Sequence, residues 1–238
     1  MDNIIAGGNF DTNPWLYGTN FPSIVAGSHT ASMWQTNFVS SGNVKVTMAK
    51  VADAPTMAQA GYLTNYSLGL TVTTATPSPG PNDIFYNLQY IEGYNFLPIA
   101  QQESVISFWV KATVPGTYSF VSHNYGADQS FIGEYTVNNS LTWEFKSVVV
   151  PPSPVAGTWN YASGTGITLQ FLMQSPSKYF GVPGWQSGGV YSTSSQPNVL
   201  ATVNNIWRIA LVKWEKGNVA TPYKGRSIQE EVMLCTPY

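Results

Sequence analysis

Short runs of apolar residues, separated by turn clusters rich in glycine and proline, recur along the whole chain. Such runs are typical of the strands of a β-sandwich or barrel. The predicted strands are Met33–Val39, Val44–Met48, Ser67–Thr73, Ile84–Ile91, Val105–Lys111, Thr117–Ser122, Phe131–Val137, Trp143–Val150, Ile167–Met173 and Ile206–Lys213. No repeat or convincing linker interrupts them, so the pattern predicts one all-β domain over residues 1–238.

Helix signals are confined to two segments. Ser227-Ile-Gln-Glu230 matches a capping box, in which the serine accepts a hydrogen bond from the third backbone N–H and the glutamate reaches back. A short C-terminal helix is therefore predicted over residues 227–235. Ala54–Gly61 is a candidate for one further helical turn.

Alternation within three predicted strands assigns side chains to faces, because successive residues of a strand point to opposite sides of the sheet. The predicted core face carries Ile84, Tyr86, Leu88, Tyr90, Ile106, Phe108, Val110, Tyr118 and Phe120. The predicted polar outer face carries Asn87, Gln89, Ser107, Trp109, Ser119 and His123. We expect Phe108, Ile106, Tyr118, Leu88 and Trp207 to be buried between two antiparallel sheets.

Composition supports a packed all-β protein and excludes several classes. Only 9% of residues are charged, against about 25% in average soluble domains, which argues against a coiled coil or helical bundle. Aromatic residues make up 14% of the chain, far more than a disordered segment contains. The net charge of −2 provides no basic surface, so we expect no nucleic-acid partner.

Cysteine and histidine usage argues against a metal site. Cys235 is the only cysteine, which excludes an intrachain disulfide, and it is interpreted as a small buried hydrophobe. The two histidines, His29 and His123, are far apart in sequence, so we expect no metal and no cofactor. No signal peptide or membrane-length apolar run is present. We therefore expect synthesis in a reducing cytoplasm without a signal, and no membrane insertion.

Catalytic motifs are also missing from the sequence. It contains no G-x-S-x-G, no H-E-x-x-H and no phosphate-binding loop, so we expect a protein that is not an enzyme. A pair of acids brought together in space, as in a glycosidase, stays open as an alternative.

One outward-facing set of side chains suggests ligand binding. Sugars present apolar C–H faces and hydroxyl groups, so an aromatic platform flanked by amides suits them. Trp109 beside Asn87, Gln89 and His123 is such a mixture, and these four residues form the predicted carbohydrate site. The alternative is that this face packs beneath the second sheet, a loop or another subunit.

The order of several motifs resembles a family of bacteriophage proteins, found in tail fibres and related virion parts, that carry a carbohydrate-binding-like domain. The resembling segments are Asn3–Phe10 with Asn13-Pro-Trp15, Tyr86–Gly93, Glu103–Ala112, Trp207–Tyr223, Arg226 and Glu230–Cys235. They span nearly the whole chain. Two segments depart from the family pattern: Ala31-Ser-Met-Trp34 lacks an acid and an arginine, and Cys235-Thr-Pro-Tyr238 replaces the usual ending.

The resemblance implies a two-sheet jelly roll without catalysis, and a structural role on the surface of a tailed-phage virion. The first expectation is a tail-fibre or receptor-binding protein that contacts host glycans. The second is a capsid decoration protein, favoured by the absence of an attachment arm, and the third is a small glycan hydrolase. We expect a homotrimer, because aromatic residues are many and charges few, and a threefold assembly covers apolar patches.

Overall fold

The computed structural model describes residues 3–236, which form two antiparallel sheets packed face to face. The strands are β1 Asn20–Phe21, β2 Ser28–His29, β3 Trp34–Val39, β4 Lys45–Val51, β5 Ser67–Thr74, β6 Ile84–Glu92, β7 Ser104–Ala112, β8 Gly116–His123, β9 Gln129–Val137, β10 Glu144–Val150, β11 Thr165–Gln174, β12 Gly184–Ser187 and β13 Ile206–Lys216. The helices are α1 Met57–Ala60, α2 Gly93–Phe96 and α3 Ile228–Cys235, with three short 3-10 turns at Leu97–Ile99, Ser177–Tyr179 and Val199–Ala201.

The strand order defines a jelly-roll sandwich. One sheet has six strands in the order β1-β4-β5-β13-β7-β10, and the other has seven in the order β12-β9-β8-β11-β6-β3-β2. Non-consecutive neighbours such as β13 and β7 show that the chain crosses repeatedly between the sheets. The predicted all-β jelly roll is confirmed, and each predicted strand overlaps an observed one.

The core lies between the two sheets and is dominated by aromatic rings. Phe108 on β7 meets Tyr135 and Phe171 of the opposite sheet in edge-on contacts, with ring centroids 4.9 Å apart in each pair. Phe108, Ile106, Tyr118 and Trp207 are fully buried in this cluster, as predicted. Gly133 on β9 leaves room for the Phe120 ring, because a Cβ there would lie 2.2 Å from it.

Strand β6 is turned the other way from the prediction. Phe85 and Ile91 belong to the core cluster, whereas Leu88 faces outward. The predicted core face of this strand, carrying Ile84, Tyr86, Leu88 and Tyr90, is therefore its outer face. Leu88 is still only 2% exposed, because its neighbours on the outer side cover it.

The two ends of the described chain meet at one end of the sandwich. The N–H of Gly7 donates to the carboxylate of Glu231 at 2.8 Å, and Arg226 donates to the carbonyl oxygens of Asn3 and Ile5. Glu231 is almost fully buried, and its carboxylate is balanced by the Gly7 N–H and by the Arg226 guanidinium. Segments that carry the family resemblance thus serve here to join the termini.

Helix α3 begins at the predicted capping box. The backbone N–H of Glu230 donates to Ser227 Oγ at 3.2 Å, and the N–H of Ser227 donates to Glu230 Oε2 at 2.8 Å. Within residues 3–236, no helix is long and apolar enough to cross a bilayer. The extent of the domain, residues 1–238, stays a prediction.

Candidate functional site

The four residues of the predicted carbohydrate site do not share a surface. Trp109 lies on the outer face of the six-stranded sheet, opposite Ala210 and Phe145. Asn87 and Gln89 point into the interior, with 0% and 1% of their surface exposed. His123 alone lies on the outer face of the seven-stranded sheet. The predicted platform was therefore wrong as a single surface.

Two long-range hydrogen bonds explain why the Gln89 amide of β6 faces inward. Gln89 Nε2 donates to the carbonyl of Ala6 at 2.7 Å, and the N–H of Ala6 donates back to Gln89 Oε1 at 3.1 Å. At Asn87 only the oxygen is satisfied among the described residues: Thr36 Oγ1 donates to Asn87 Oδ1 at 3.4 Å, and the buried Asn87 Nδ2 has no partner. A buried amide is tolerated when its polar atoms find partners. Gln89 thus anchors the N-terminal segment to the sheet.

Trp109 packs within a small apolar cluster outside the six-stranded sheet. Its ring lies 5.7 Å from that of Phe145, and the cluster also holds Leu211 and Trp143. Leu211 reaches this side through a β-bulge, where its φ of +52° accompanies a register shift between β13 and β7. Trp109 is therefore half-buried by its neighbours and does not form an open flat platform.

Aromatic side chains line a cleft on the outer face of the seven-stranded sheet. The cavity has a volume of about 270 Å³. We call it the tyrosine cleft, and its lining residues are Tyr86, Leu88, Tyr90, His123, Asn124, Tyr125, Ala127, Thr165, Thr168, Gln170 and Tyr191. Strands β6, β8 and β11 supply its floor, and the segment after β12 supplies Tyr191 as a wall.

Tyr191 holds the wall of the tyrosine cleft in place. Its ring meets Tyr86 at 5.6 Å and Tyr179 at 5.2 Å, and it stands edge-on to His123 at 4.7 Å. Burial raises the pKa values of Tyr86 and Tyr191 above the usual value for tyrosine. Both phenols therefore remain protonated at neutral pH, and their hydroxyl groups are able to donate hydrogen bonds.

His123 is fixed in its neutral form beneath this wall. Gln170 Nε2 lies 3.0 Å from His123 Nδ1, and His123 Nε2 lies 2.7 Å from the carbonyl of Val190. This pattern makes Nε2 the protonated nitrogen, donating to Val190, with Nδ1 accepting. Burial lowers the pKa of His123, outweighing the Val190 hydrogen bond that raises it. The imidazole thus positions the 190–191 segment over the cleft.

A second cleft adjoins the first near the joined termini. We call it the terminal cleft; its volume is about 460 Å³, and it shares Tyr90 and Thr165 with the tyrosine cleft. One wall carries Tyr17 stacked on His29, with ring centroids 4.7 Å apart, and Gln35 bonded to the same histidine at 2.8 Å. Tyr90, which is 43% exposed, stands between the two cavities.

The chemistry available in these clefts is contact and hydrogen bonding. In the part of the chain that the structure describes, no three histidine, cysteine, aspartate or glutamate side chains come together as a metal site. Cys235 is buried at the terminal cleft, and burial, followed by the nearby Glu231 carboxylate, raises its pKa to about 12. A thiol with this pKa is a poor nucleophile at neutral pH.

Sequence reasoning missed the tyrosines of the cleft because it assigned them to the core. Strand β6 carries apolar or aromatic residues on both of its faces: Tyr86 and Tyr90 on one, and Phe85 and Ile91 on the other. Tyrosine has a polar hydroxyl that phenylalanine and isoleucine lack, so the side with two tyrosines suited the solvent face better. Tyr125 and Tyr191 lie outside the predicted strands and carried no such signal.

The chain was compared with protein families, curated proteins and solved structures. No family profile and no curated protein matches it. Among solved structures, the enzymatically active domain of the bacteriophage CBA120 tailspike protein 4 is similar, with 13% identity and a TM-score of 0.48. The match covers 90% of this chain and 21% of the tailspike chain, so this chain spans about a fifth of that protein.

Two carbohydrate-binding modules are similar over most of their length. TmCBM61, solved with β-1,4-galactotriose, is 12% identical with a TM-score of 0.43, covering 91% of this chain and 100% of the module. The family 11 module of a cellulosomal cellulase from Clostridium thermocellum is 10% identical with a TM-score of 0.41, covering 83% and 95%. At TM-scores below 0.5 these matches carry no weight on what this chain binds.

Proposed function

We propose that the chain is a carbohydrate-binding domain and that the tyrosine cleft holds a neutral sugar. The observation that carries this proposal is the combination of four tyrosines with fixed amide and hydroxyl groups in one cavity. A tyrosine ring stacks on the C–H face of a pyranose, while Gln170 Oε1 and the phenol groups of the cleft can bond its hydroxyls.

The absence of charge supports a neutral ligand. Among the described residues that line the tyrosine cleft there is no lysine, arginine, aspartate or glutamate, and the lowered pKa of His123 keeps it neutral. A phosphate or carboxylate would find no cation to pair with there. Neutral hydroxyl groups, which exchange water for side-chain hydrogen bonds, fit this lining better.

The test is binding of neutral polysaccharides and oligosaccharides, screened on a glycan array and measured by calorimetry. We expect a dissociation constant of about 10 μM to 1 mM per site, as befits a shallow polar cleft. Tyr90→Ala removes the ring that stands between the two cavities, and it should weaken binding at least about tenfold without changing the melting temperature appreciably.

Tyr94→Ala is the matched control for this variant. Tyr94 is 60% exposed and lines neither cleft, so its removal should leave binding unchanged. Equal effects of the two substitutions, or full binding by Tyr90→Ala, would rule out the tyrosine cleft as the sugar site.

We propose further that the chain acts without catalysis on the surface of a tailed-phage virion, as a tail-fibre or receptor-binding component. The order of resembling motifs supports this role, and weak single sites suit an assembly that binds many glycans at once. Particle density at the tail tip would support the proposal. Density at local threefold axes of the head would favour a decoration protein instead, and turnover of host polysaccharide would favour a hydrolase.

A homotrimer belongs to the same proposal, with the outer face of the six-stranded sheet as its contact surface. Phe145 and Val149 on the edge strand β10 and Leu141 before it are exposed, and together with Trp109 they form an apolar strip. A second copy of the chain would remove this strip from water. Light scattering should give a trimer for the wild type and a monomer for Phe145→Glu; a monomeric wild type would overturn the assignment.

A further inference from the structure

The terminal cleft differs chemically from the tyrosine cleft beside it. Its volume of about 460 Å³ lies within the range of about 300–1,000 Å³ typical of small-molecule sites. Its apolar lining residues include Ile4, Met33, Ile91, Met233 and Leu234. Among the residues 3–236 that the structure describes, Glu92 is the only carboxylate lining this cleft, and no lysine or arginine lines it. Such a lining suits an uncharged apolar group and disfavours an anionic one.

Two methionines give this cleft an adaptable rim. Met33 lines it with a φ of +70°, a left-handed backbone conformation that is uncommon for residues other than glycine. Met233 on α3 is 74% exposed. The unbranched thioether side chain rearranges easily around irregular apolar shapes, and it is frequent at binding surfaces that accept several partners. The strained turn at Met33 thus directs an adaptable side chain to the cavity.

The two clefts are continuous rather than separate. Tyr90 and Thr165 line both cavities and lie on the neighbouring strands β6 and β11, where Tyr90 is paired with Thr168. A sugar ring stacked on Tyr90 in the tyrosine cleft would therefore have any substituent on its near side directed into the terminal cleft. A ligand that combines a sugar with an apolar group fills both cavities at once.

We propose that the terminal cleft binds an apolar acyl or aryl substituent of the same glycan whose sugar ring occupies the tyrosine cleft. This inference rests on the proposed sugar-binding function and specifies its ligand class: a neutral glycan that carries an ester- or ether-linked apolar group. The substituent would contribute affinity through burial of its carbon atoms, and the sugar would contribute orientation.

The experiment uses paired neutral glycosides that differ only in the apolar group. The probes are methyl, phenyl and octyl β-glycosides of glucose and galactose, kept below micelle-forming concentrations, with 1-octanol as a sugar-free probe. Each buried methylene gains about fourfold in affinity. We expect the octyl and phenyl glycosides to bind the wild-type chain at least about tenfold more tightly than the methyl glycosides.

Three variants test where this gain originates. Met233→Lys and Met33→Lys place a charge in the terminal cleft and should abolish the octyl and phenyl gain, with methyl glycoside binding unchanged. Met57→Lys is the matched control, because Met57 is an exposed helical methionine that lines neither cleft, and it should behave as wild type. Should Met33→Lys fail to fold, Met233→Lys is sufficient, since its side chain lies at the surface.

The outcomes separate this inference from the proposed function. Equal binding of methyl and octyl glycosides, with both abolished by Tyr90→Ala, overturns the inference and leaves sugar binding intact. If 1-octanol binds as tightly as the octyl glycosides and Tyr90→Ala does not change its affinity, the sugar makes no contribution. That result overturns the sugar site, and the inference with it. A gain that survives both lysine variants also overturns the inference.

Discussion

The outer faces of the two sheets both carry aromatic residues but differ in what surrounds them. On the seven-stranded sheet, Tyr90 stands between two cavities, and Tyr191 forms a wall above the strands. On the six-stranded sheet, Trp109 and Phe145 pack against one another. An exposed aromatic on a strand is therefore a poor guide to a site by itself. A cavity requires segments outside the strands to build its walls.

The two faces also differ in charge. On the six-stranded sheet, Asp53 pairs with Lys111 at 3.0 Å and with Arg208, and it accepts a hydrogen bond from Trp143 Nε1 at 3.0 Å. Lys213 and Glu215, both nearly buried, pair at 2.8 Å and hold Thr221 of the following segment. The tyrosine cleft has no such pairs in its lining. The six-stranded face is thus joined by ion pairs, whereas the described lining of the tyrosine cleft is neutral.

The largest expected effect lies in the core that both faces share. Phe108→Ala should lower the free energy of unfolding by about 3–5 kcal/mol, because it leaves a cavity among Tyr135, Phe171 and Phe120. Phe145→Ala, on the neighbouring strand but half exposed, should cost less than about 1 kcal/mol in the isolated subunit. Urea denaturation measures the free energy of unfolding of both variants. Similar losses of stability would mean that the inner and outer sides of these strands are not distinguished by burial.

Trp109→Ala should separate stability from binding. Removing a half-buried ring that packs against Phe145 and Leu211 should cost about 1–3 kcal/mol. Glycan binding should remain within about twofold of wild type, because Trp109 lies on the sheet opposite the tyrosine cleft. Calorimetry on the folded variant measures this glycan affinity. If the variant does not bind glycan, the sugar site lies on the six-stranded face.

Asp53→Asn tests the ionic character of the six-stranded face. Burial raises the pKa of Asp53, but the Trp143 hydrogen bond and the Lys111 and Arg208 charges outweigh it and lower the pKa below its usual range. Losing these charge-assisted bonds should cost about 1–2 kcal/mol. Glu103→Gln replaces an exposed carboxylate and should be silent in the same denaturation series. If Asp53→Asn leaves the free energy of unfolding unchanged, the ion pairs of Asp53 contribute nothing to stability.

The smallest expected effect is a pH dependence that belongs to the seven-stranded face. A folded-state pKa below the unfolded value means that the contribution of His123 is complete above about pH 6.5 and is lost as the pH falls. Hydrogen bonds and nearby cations lower the pKa values of Asp53 and Glu144, the latter to about 2. These carboxylates therefore lose their contribution to stability only at more acidic pH. Stability lost between about pH 6.5 and 5 should therefore come from histidine.

The measurement compares His29→Gln with the double variant His29→Gln/His123→Gln, because burial also lowers the pKa of His29. The double variant should show a flatter melting-temperature profile between about pH 6.5 and 5 than the single variant. Parallel profiles would mean that His123 titrates alike in the folded and unfolded states and does not brace the Val190 carbonyl.

Much of the fold could be read from local patterns. The ten predicted strands and the helix capped at Ser227 are present because alternation, turn residues and a capping box act over a few neighbouring residues. The faces of a strand were also assigned correctly where one set of alternate residues was clearly more apolar than the other, as for Phe108 and Tyr118. The short strands β1, β2 and β12 were missed, since two to four residues carry too little pattern to recognise.

Local pattern failed where the decisive partner is distant in the chain. Gln89 faces inward because Ala6, 83 residues away, satisfies its amide, and that contact turns Tyr86 and Tyr90 outward. Tyr191 reaches the cleft through contacts with His123 and Tyr179. The sequence by itself thus determined the strands, the capped helix and most of the core. Only the tertiary structure decided which side of β6 meets solvent, because alternation fixes opposite sides but hydrogen-bond partners far along the chain choose between them.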